Sequence, residues 1–450
     1  MYSILASIYL LFCFLIIKNK GIARLFYFMA GIFLIPGNIY LIPNSLFMGY
    51  MLYTTSFIAS LFIHGEFKLN NFKTCPVFGS IILMYISCFL IGLFDERIGS
   101  ALGIWRGTTH FLNTFMLFLL GWISIPNNKN NGYGDKINDT LLSKLLPITL
   151  IITIYGLFTA ITKTNPILDA VGLKDRFNME AYEDTVRGFR VSGVNESCSV
   201  YGLACSVLFI CSNYFIKHKT KIQLLAITLL AINILITATR APIISFLICV
   251  LTFLILEKGF TRTIKSILIS IVLIIGLIII LPNGIGAYFN ELFGAIADIF
   301  IGSGGTEYGG SSLDARNMQI LAALEFLKEK PLFGHGFGYA AEVLIKGESH
   351  SELLGLESYI CFIGIDLGIV YAIGLIIFFI NCLVYFFKNK RYYKTFSNVG
   401  IALILSYMLF IIFAWVGEAW YYIMPILGYI TRKIYLKKQY ILQMQQNEKK

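Results

Sequence analysis

Four arginines and one histidine are the residues of this 450-residue chain whose types and settings could do chemistry. Arg240 lies in Ile234-Leu-Ile-Thr-Ala-Thr-Arg-Ala-Pro242, between two apolar runs, with no acidic residue nearer in sequence than Glu257. A charge at the end of a membrane span is costly unless its stem reaches the headgroup layer or it meets a ligand, and an anion is the fitting ligand. Arg187 and Arg190, in Arg187-Gly-Phe-Arg-Val-Ser-Gly193, stand three apart and could share one face of a helical turn, where they would suit a pyrophosphate. Their bland alternative is a basic loop screened by Glu180, Glu183 and Asp184 just before it. Arg316 falls on the first turn of a helical pattern that Ser311 or Ser312 can cap and that runs to Lys330 before Pro331 ends it. Leu313, Ile320, Leu321, Leu324 and Leu327 make one stripe of that helix, which should lie on the membrane surface or pack on the bundle.

The histidine is His350. If a helix has begun there, Glu357 falls two turns along the same face, and an imidazole beside a carboxylate is a general base with its orienting partner. A solvated surface histidine is the competing reading. Asp366, about two turns deeper, is an intramembrane acid and for that reason a candidate. Arg106 and His110, four apart at the start of an apolar run, could line the outer vestibule. His335, between glycines, reads as structural. The glycine-rich run Gly302–Gly310 lacks the Gly-Lys-Ser/Thr ending of a phosphate-cradling loop, so it reads as a lid rather than a nucleotide site.

These residues sit in the gaps of a very apolar chain. Hydrophobic residues make up 57% and charged ones 14%, with a mean hydropathy of +0.75, too few polar groups to cover a water-soluble surface. A hydrocarbon core needs about 20 apolar residues per helix, and the pattern predicts an all-α polytopic membrane protein of about 11–13 transmembrane helices. Spans are expected near 2–17, 24–42, 45–63, 76–94, 107–125, 144–162, 198–216, 222–239, 241–256, 264–282, 357–387, 396–416 and 419–434. The whole of 1–450 reads as one integral membrane domain, the N-terminus being an uncleaved first span. Of the 36 basic residues, 24 lie in alternate loops with their flanks and in the tail from Arg432, mostly as lysine and notably in 217–221 and 388–391, which marks that side as cytoplasmic. The net charge of +11 is therefore topology, and nucleic acid is not an expected partner. Two large loops are expected outside, 163–197 and 283–356, the second containing the short amphipathic helix. Arginine is prominent on that side, with Arg97, Arg106 and Arg176 beside those already named, and the planar guanidinium fork suits phosphate where a topology signal needs only charge. The nine cysteines, mostly inside apolar runs and without a C-x-x-C pair, read as core hydrophobes. No metal-ligand spacing occurs, and no cofactor is expected.

The order Thr237-Ala-Thr-Arg240-Ala-Pro, then Arg316, then Ala322-Ala-Leu-Glu-Phe-Leu-Lys-Glu-Lys-Pro-Leu-Phe-Gly-His-Gly-Phe-Gly338, then His350-Ser with Gly364-Ile-Asp-Leu-Gly368, resembles the O-antigen polymerase and O-antigen ligase superfamily of bacterial membrane glycosyltransferases. The resemblance covers about 230–375 and implies a GT-C-like fold in the bacterial inner membrane with its active site on the extracytoplasmic face. The implied reaction transfers a growing glycan from undecaprenyl pyrophosphate to a sugar hydroxyl of another lipid-linked repeat unit, without metal or nucleotide sugar. In that reading Arg187, Arg190, Arg240 and Arg316 stabilise the pyrophosphate leaving group, and His350 with Glu357 deprotonates the acceptor. The partners implied are undecaprenyl-pyrophosphate-linked glycans, membrane lipid and a chain-length regulator. The run Glu352-Leu-Leu-Gly-Leu-Glu-Ser-Tyr after the histidine lacks the glycine and threonine spacing of the ligase branch, which favours a polymerase. A ligase acting on lipid A core or a capsule polymerase stays open. A transporter or flippase is the reading from another class, disfavoured because neither an inverted repeat nor paired midplane charges is visible.

Overall fold

The apolar runs form helices because each buried backbone N–H and C=O must find its partner within the span when no water is available. A computed structural model describes residues 2–37, 49–125, 141, 145–172, 190–195, 197–214, 220–264, 313–345, 356, 358–414 and 419–448, and among these there is no strand. The chain is an all-α polytopic membrane protein. Helices α1 (Tyr2–Lys18), α2 (Gly21–Leu34) and α3 (Gly49–Ile63) pack together, followed by a short α4 (Leu69–Lys73) and the hairpin of α5 (Phe78–Leu93) and α6 (Ser100–Asn113). Then come α7 (Phe115–Ile123), α8 (Leu146–Thr162), α9 (Pro166–Ala170), α10 (Cys198–Tyr214), α11 (Lys221–Ile236), α12 (Arg240–Lys258) and α13 (Leu313–Glu329). The last three are α14 (Tyr359–Asn389), α15 (Lys394–Phe413) and α16 (Ala419–Asn447). Helices α12, α14 and α15 are long and apolar enough by themselves to cross a membrane.

Contacts between loops divide the described residues between two ends. At one end Arg24 pairs with Glu66 at 2.6 Å, the Trp122 indole donates to Asn71 O at 2.8 Å, Arg432 Nε donates to Ile125 O at 3.1 Å, and Asn398 donates to Glu257 at 2.6 Å. Lys388, Lys390 and Lys394 also gather there. At the other end Asn165 donates to Gly193 O at 2.6 Å, Tyr359 N to Ala414 O at 3.3 Å, and Lys330 to Glu96 at 2.9 Å. The bundle core between them is held by close helix contacts and a few polar links. Tyr201 OH donates to Asn233 Oδ1 at 2.8 Å, and the Ser245 and Ser406 hydroxyls meet at 2.7 Å. In α14 the buried side chains Tyr371, Leu375, Phe378, Cys382 and Phe386 alternate with exposed Ile369, Ile373, Ile376, Ile380 and Val384, a core face and a lipid face at helical spacing. All nine cysteines are buried and free, as core hydrophobes would be.

One expectation needs correction. The run 107–125 is not one helix, because Thr114 (φ −124°, ψ −83°) interrupts it and the helix before the break starts at Ser100. Helix α13 ends before Pro331 as predicted, while the cap candidates Ser311 and Ser312 lie outside the described residues; it docks on the start of α14 with Gln319, Ala322 and Ala323 buried, and Ile320, Leu321 and Leu324 are exposed. Alanines win the docking face because small side chains let two helix backbones approach closely. The outward apolar residues suit a helix lying on a membrane surface. The span expected at 264–282 and the run Gly302–Gly310 lie outside the described residues.

Candidate functional site

The glycine-rich segment Pro331–Gly338 lies along the first turns of α14, and the local geometry of α14 is what lets it bind. Over Ile363–Leu367 the helix widens into a π turn, and Gly368 (φ +68°) follows. A widened turn leaves carbonyls without their usual i+4 partner. Ile365 O accepts from His335 N at 2.9 Å and Asp366 O from Gly336 N at 3.0 Å, while Ile369 N donates to Pro331 O at 2.9 Å. Gly334 (φ +65°) and Gly336 (φ +98°) have to be glycine here. Beyond the left-handed backbone, a Cβ at the first would collide with the Asp366 backbone and at the second with the Asp95 carboxylate.

Asp366 completes the attachment. Its carboxylate is 8% exposed and accepts from Gly338 N at 3.0 Å (Oδ2) and from Ala340 N at 2.7 Å (Oδ1). The intramembrane acid thus organises a backbone turn. His335 also acts in packing, stacked on Tyr339 at 4.5 Å with Nε2 3.1 Å from Phe326 O.

The opposite wall is the α5–α6 hairpin, whose two helices touch backbone to backbone where Gly92 faces Gly103. From it Arg97 and Arg106 reach across. Arg97 donates to Phe337 O at 2.9 Å and to Glu342 at 2.6 Å, and Arg106 donates to Phe337 O at 3.0 Å and to Glu342 at 3.1 Å. The vestibule pair is therefore engaged in holding the segment: Arg106 clamps it, and His110, with Nε2 2.9 Å from Tyr371 OH, packs on the Phe337 ring at 5.2 Å. Partial burial would raise the Glu342 carboxyl, but its hydrogen bonds to Arg97 and Arg106 and their charges outweigh this and hold it below the ordinary 4.5. A depressed carboxyl stabilises the docked segment above its unfolded value and loses that contribution as pH falls through the folded one. Protection across 331–342, the exchange rate relative to the intrinsic rate at each pH, is expected to fall when pH drops from about 6 to about 3, and Glu342→Gln should abolish that fall.

The second cluster gathers around Arg240. Thr237 closes α11 with Oγ1 on Ile234 O at 2.7 Å, Ala238 takes a left-handed conformation (φ +49°), and Thr239 precedes Arg240, the first residue of α12. A left-handed alanine is strained, and such strain survives where surrounding structure fixes it. Val191 N donates to Ile236 O at 3.2 Å, so the segment carrying Arg190 runs against the turn carrying Arg240. That segment is held from its far side by Asn165 on Gly193 O and by Tyr422 OH on Asn195 at 3.2 Å.

The structure thus brings the Arg190 and Arg240 segments together at the same end as Asp366, Arg106 and His110. Arg316 is on the first turn of α13, whose described side chains start at Asn317. Arg187, His350 and Glu357 lie outside the described residues. Asp95 and Glu342 are the site residues that sequence reading passes over, and neither carries a local signal. Arg97 stands out only through the arginine bias of the loops on that side, and Phe337 only as part of the run ending at Gly338. Among the described residues no three His, Cys, Asp or Glu side chains gather as a metal site would need.

Residues 225–378 match the family model described as O-Antigen ligase. The match supports the superfamily of O-antigen polymerases and ligases and does not distinguish the branches. It takes in the Arg240 turn, α13, the docked glycine-rich segment and Asp366. No curated protein matches the chain.

Proposed function

We propose that this membrane protein is a metal-independent glycosyltransferase that polymerises lipid-linked oligosaccharide repeat units of the O-antigen type. The growing glycan leaves undecaprenyl pyrophosphate for a sugar hydroxyl of another lipid-linked repeat unit, on the extracytoplasmic face of the bacterial inner membrane. The observation that carries this reading is the meeting of the Arg190 segment with the Arg240 turn, one of them inside the matched region, at the end where the glycine-rich segment docks.

Breaking the bond between the anomeric carbon and the phosphate oxygen leaves charge on the pyrophosphate, and fixed guanidinium groups stabilise that charge where it develops. Arg190 and Arg240 take this role, joined by Arg187 and Arg316. The acceptor hydroxyl must lose its proton as it attacks, which is the part given to His350 with Glu357 orienting it. The docked segment and its arginine clamp form one wall beside this chemistry, and Asp366 positions that wall without touching substrate.

The description of the matching family favours a second reading, an O-antigen ligase that passes finished glycan to an acceptor such as lipid A core. Deleting the gene separates the two. Loss of a polymerase leaves single repeats on the lipid, whereas loss of a ligase leaves long chains on the carrier. No change in either pool would overturn both.

A further inference from the structure

A cavity among the described residues lies at the lysine-rich end, far from the arginine cluster. It measures about 650 Å³ and opens between the start of α5 and the end of α14, with the tail of α16 across it. Lys388, Arg391 and Lys438 line it, and among the described residues no acidic side chain does. Tyr392 fixes two of these cations, with the Arg391 guanidinium 4.8 Å and the Lys438 ammonium 5.7 Å from its ring centroid. Three cations converging on one concavity repel each other unless an anion lies among them.

Below the cavity, towards the middle of the bundle, the neighbouring surfaces of α5 and α14 expose Ile82, Leu83, Ile376 and Ile380. A cavity that is cationic at its mouth and continuous with lipid-facing helix surfaces fits a ligand that is anionic at one end and has acyl chains at the other. We propose that this cavity binds the phosphate headgroup of an anionic phospholipid, whose chains lie on the exposed faces of α5 and α14. The site is independent of the glycan chemistry at the opposite end. Basic pockets between helices at a membrane surface recognise such headgroups by charge and hydrogen bonding.

The test uses the purified full-length protein, delipidated and re-equilibrated in micelles with dioleoylphosphatidylglycerol or dioleoylphosphatidylcholine, with bound lipid counted by mass spectrometry. The anionic phosphatidylglycerol should be retained about tenfold better or more, and less so as salt rises, because screening weakens exposed charge pairs. The combined substitution of Lys388, Arg391 and Lys438 by glutamine should remove that preference, whereas Lys258→Gln, at the same end but outside the cavity, should keep it. Equal retention of the two lipids by the wild-type protein would overturn the proposal even if the triple variant fails to fold. So would undiminished selectivity in a folded triple variant. Millimolar inorganic phosphate should compete poorly, since it lacks the chains, and complete displacement by it would mark a free-phosphate site instead.

Discussion

Arg240→Ala is expected to slow elongation of lipid-linked repeats by about 10²–10³-fold, the loss seen when one fixed donor to a developing anion is removed. The geometry gives the reason to expect so large an effect from one half-buried arginine at a helix end. A left-handed Ala238 and the extended Thr239 turn the chain so that Arg240 opens α12, where the helix dipole also favours an anion. The Val191 to Ile236 hydrogen bond then sets the Arg190 segment beside it. Arg240→Lys keeps the charge and loses the two-pronged fork, so it should fall between alanine and wild type. The check is a single-turnover assay in lipid nanodiscs, with a thermal melt to confirm that the variant is folded. A folded Arg240→Ala protein that elongates at the wild-type rate would remove Arg240 from the reaction.

Asp366→Asn should unfasten the glycine-rich segment while leaving the bundle intact. The carboxylate accepts two backbone hydrogen bonds in a buried place, and charge-assisted bonds of this kind contribute roughly 1.5–3 kcal/mol each. An asparagine amide has one acceptor oxygen and must turn its own N–H groups towards Gly338 N or Ala340 N, so one bond is lost and two donors face each other. Opening of the segment should become about 100-fold more frequent, corresponding to about 3 kcal/mol. The measurement is hydrogen exchange at Gly338 and Ala340, and elongation should fall with it if the segment walls the active site. Unchanged protection in the variant would show that the backbone bonds to Ile365 and Asp366 suffice by themselves.

Much of the architecture was legible because the bilayer imposes it. Long apolar runs can only be helices when backbone groups must pair internally, so most of the described spans could be placed from hydropathy, although the run 107–125 breaks at Thr114. The end of α13 was set by Pro331, whose ring cannot continue a helix. The facing of α13 was not legible. Its apolar stripe could have faced the membrane or the bundle, and the structure turns it outward and buries the alanines, because close approach to α14 favours small side chains.

By itself the sequence determined the class of protein, the helical character of its apolar runs, the separation of lysine from arginine loops, and a short roster of residues suited to phosphate chemistry. Only the tertiary structure decided that Asp366 serves as an anchor for backbone amides and that Arg106 is joined by Arg97 in clamping Glu342. Only it, too, set the Arg190 segment against the Arg240 turn. The reason is distance along the chain: Arg97 and Glu342 are 245 residues apart. No local periodicity carries information about a contact made across that separation, whereas helix formation and membrane insertion depend on neighbours within a few turns.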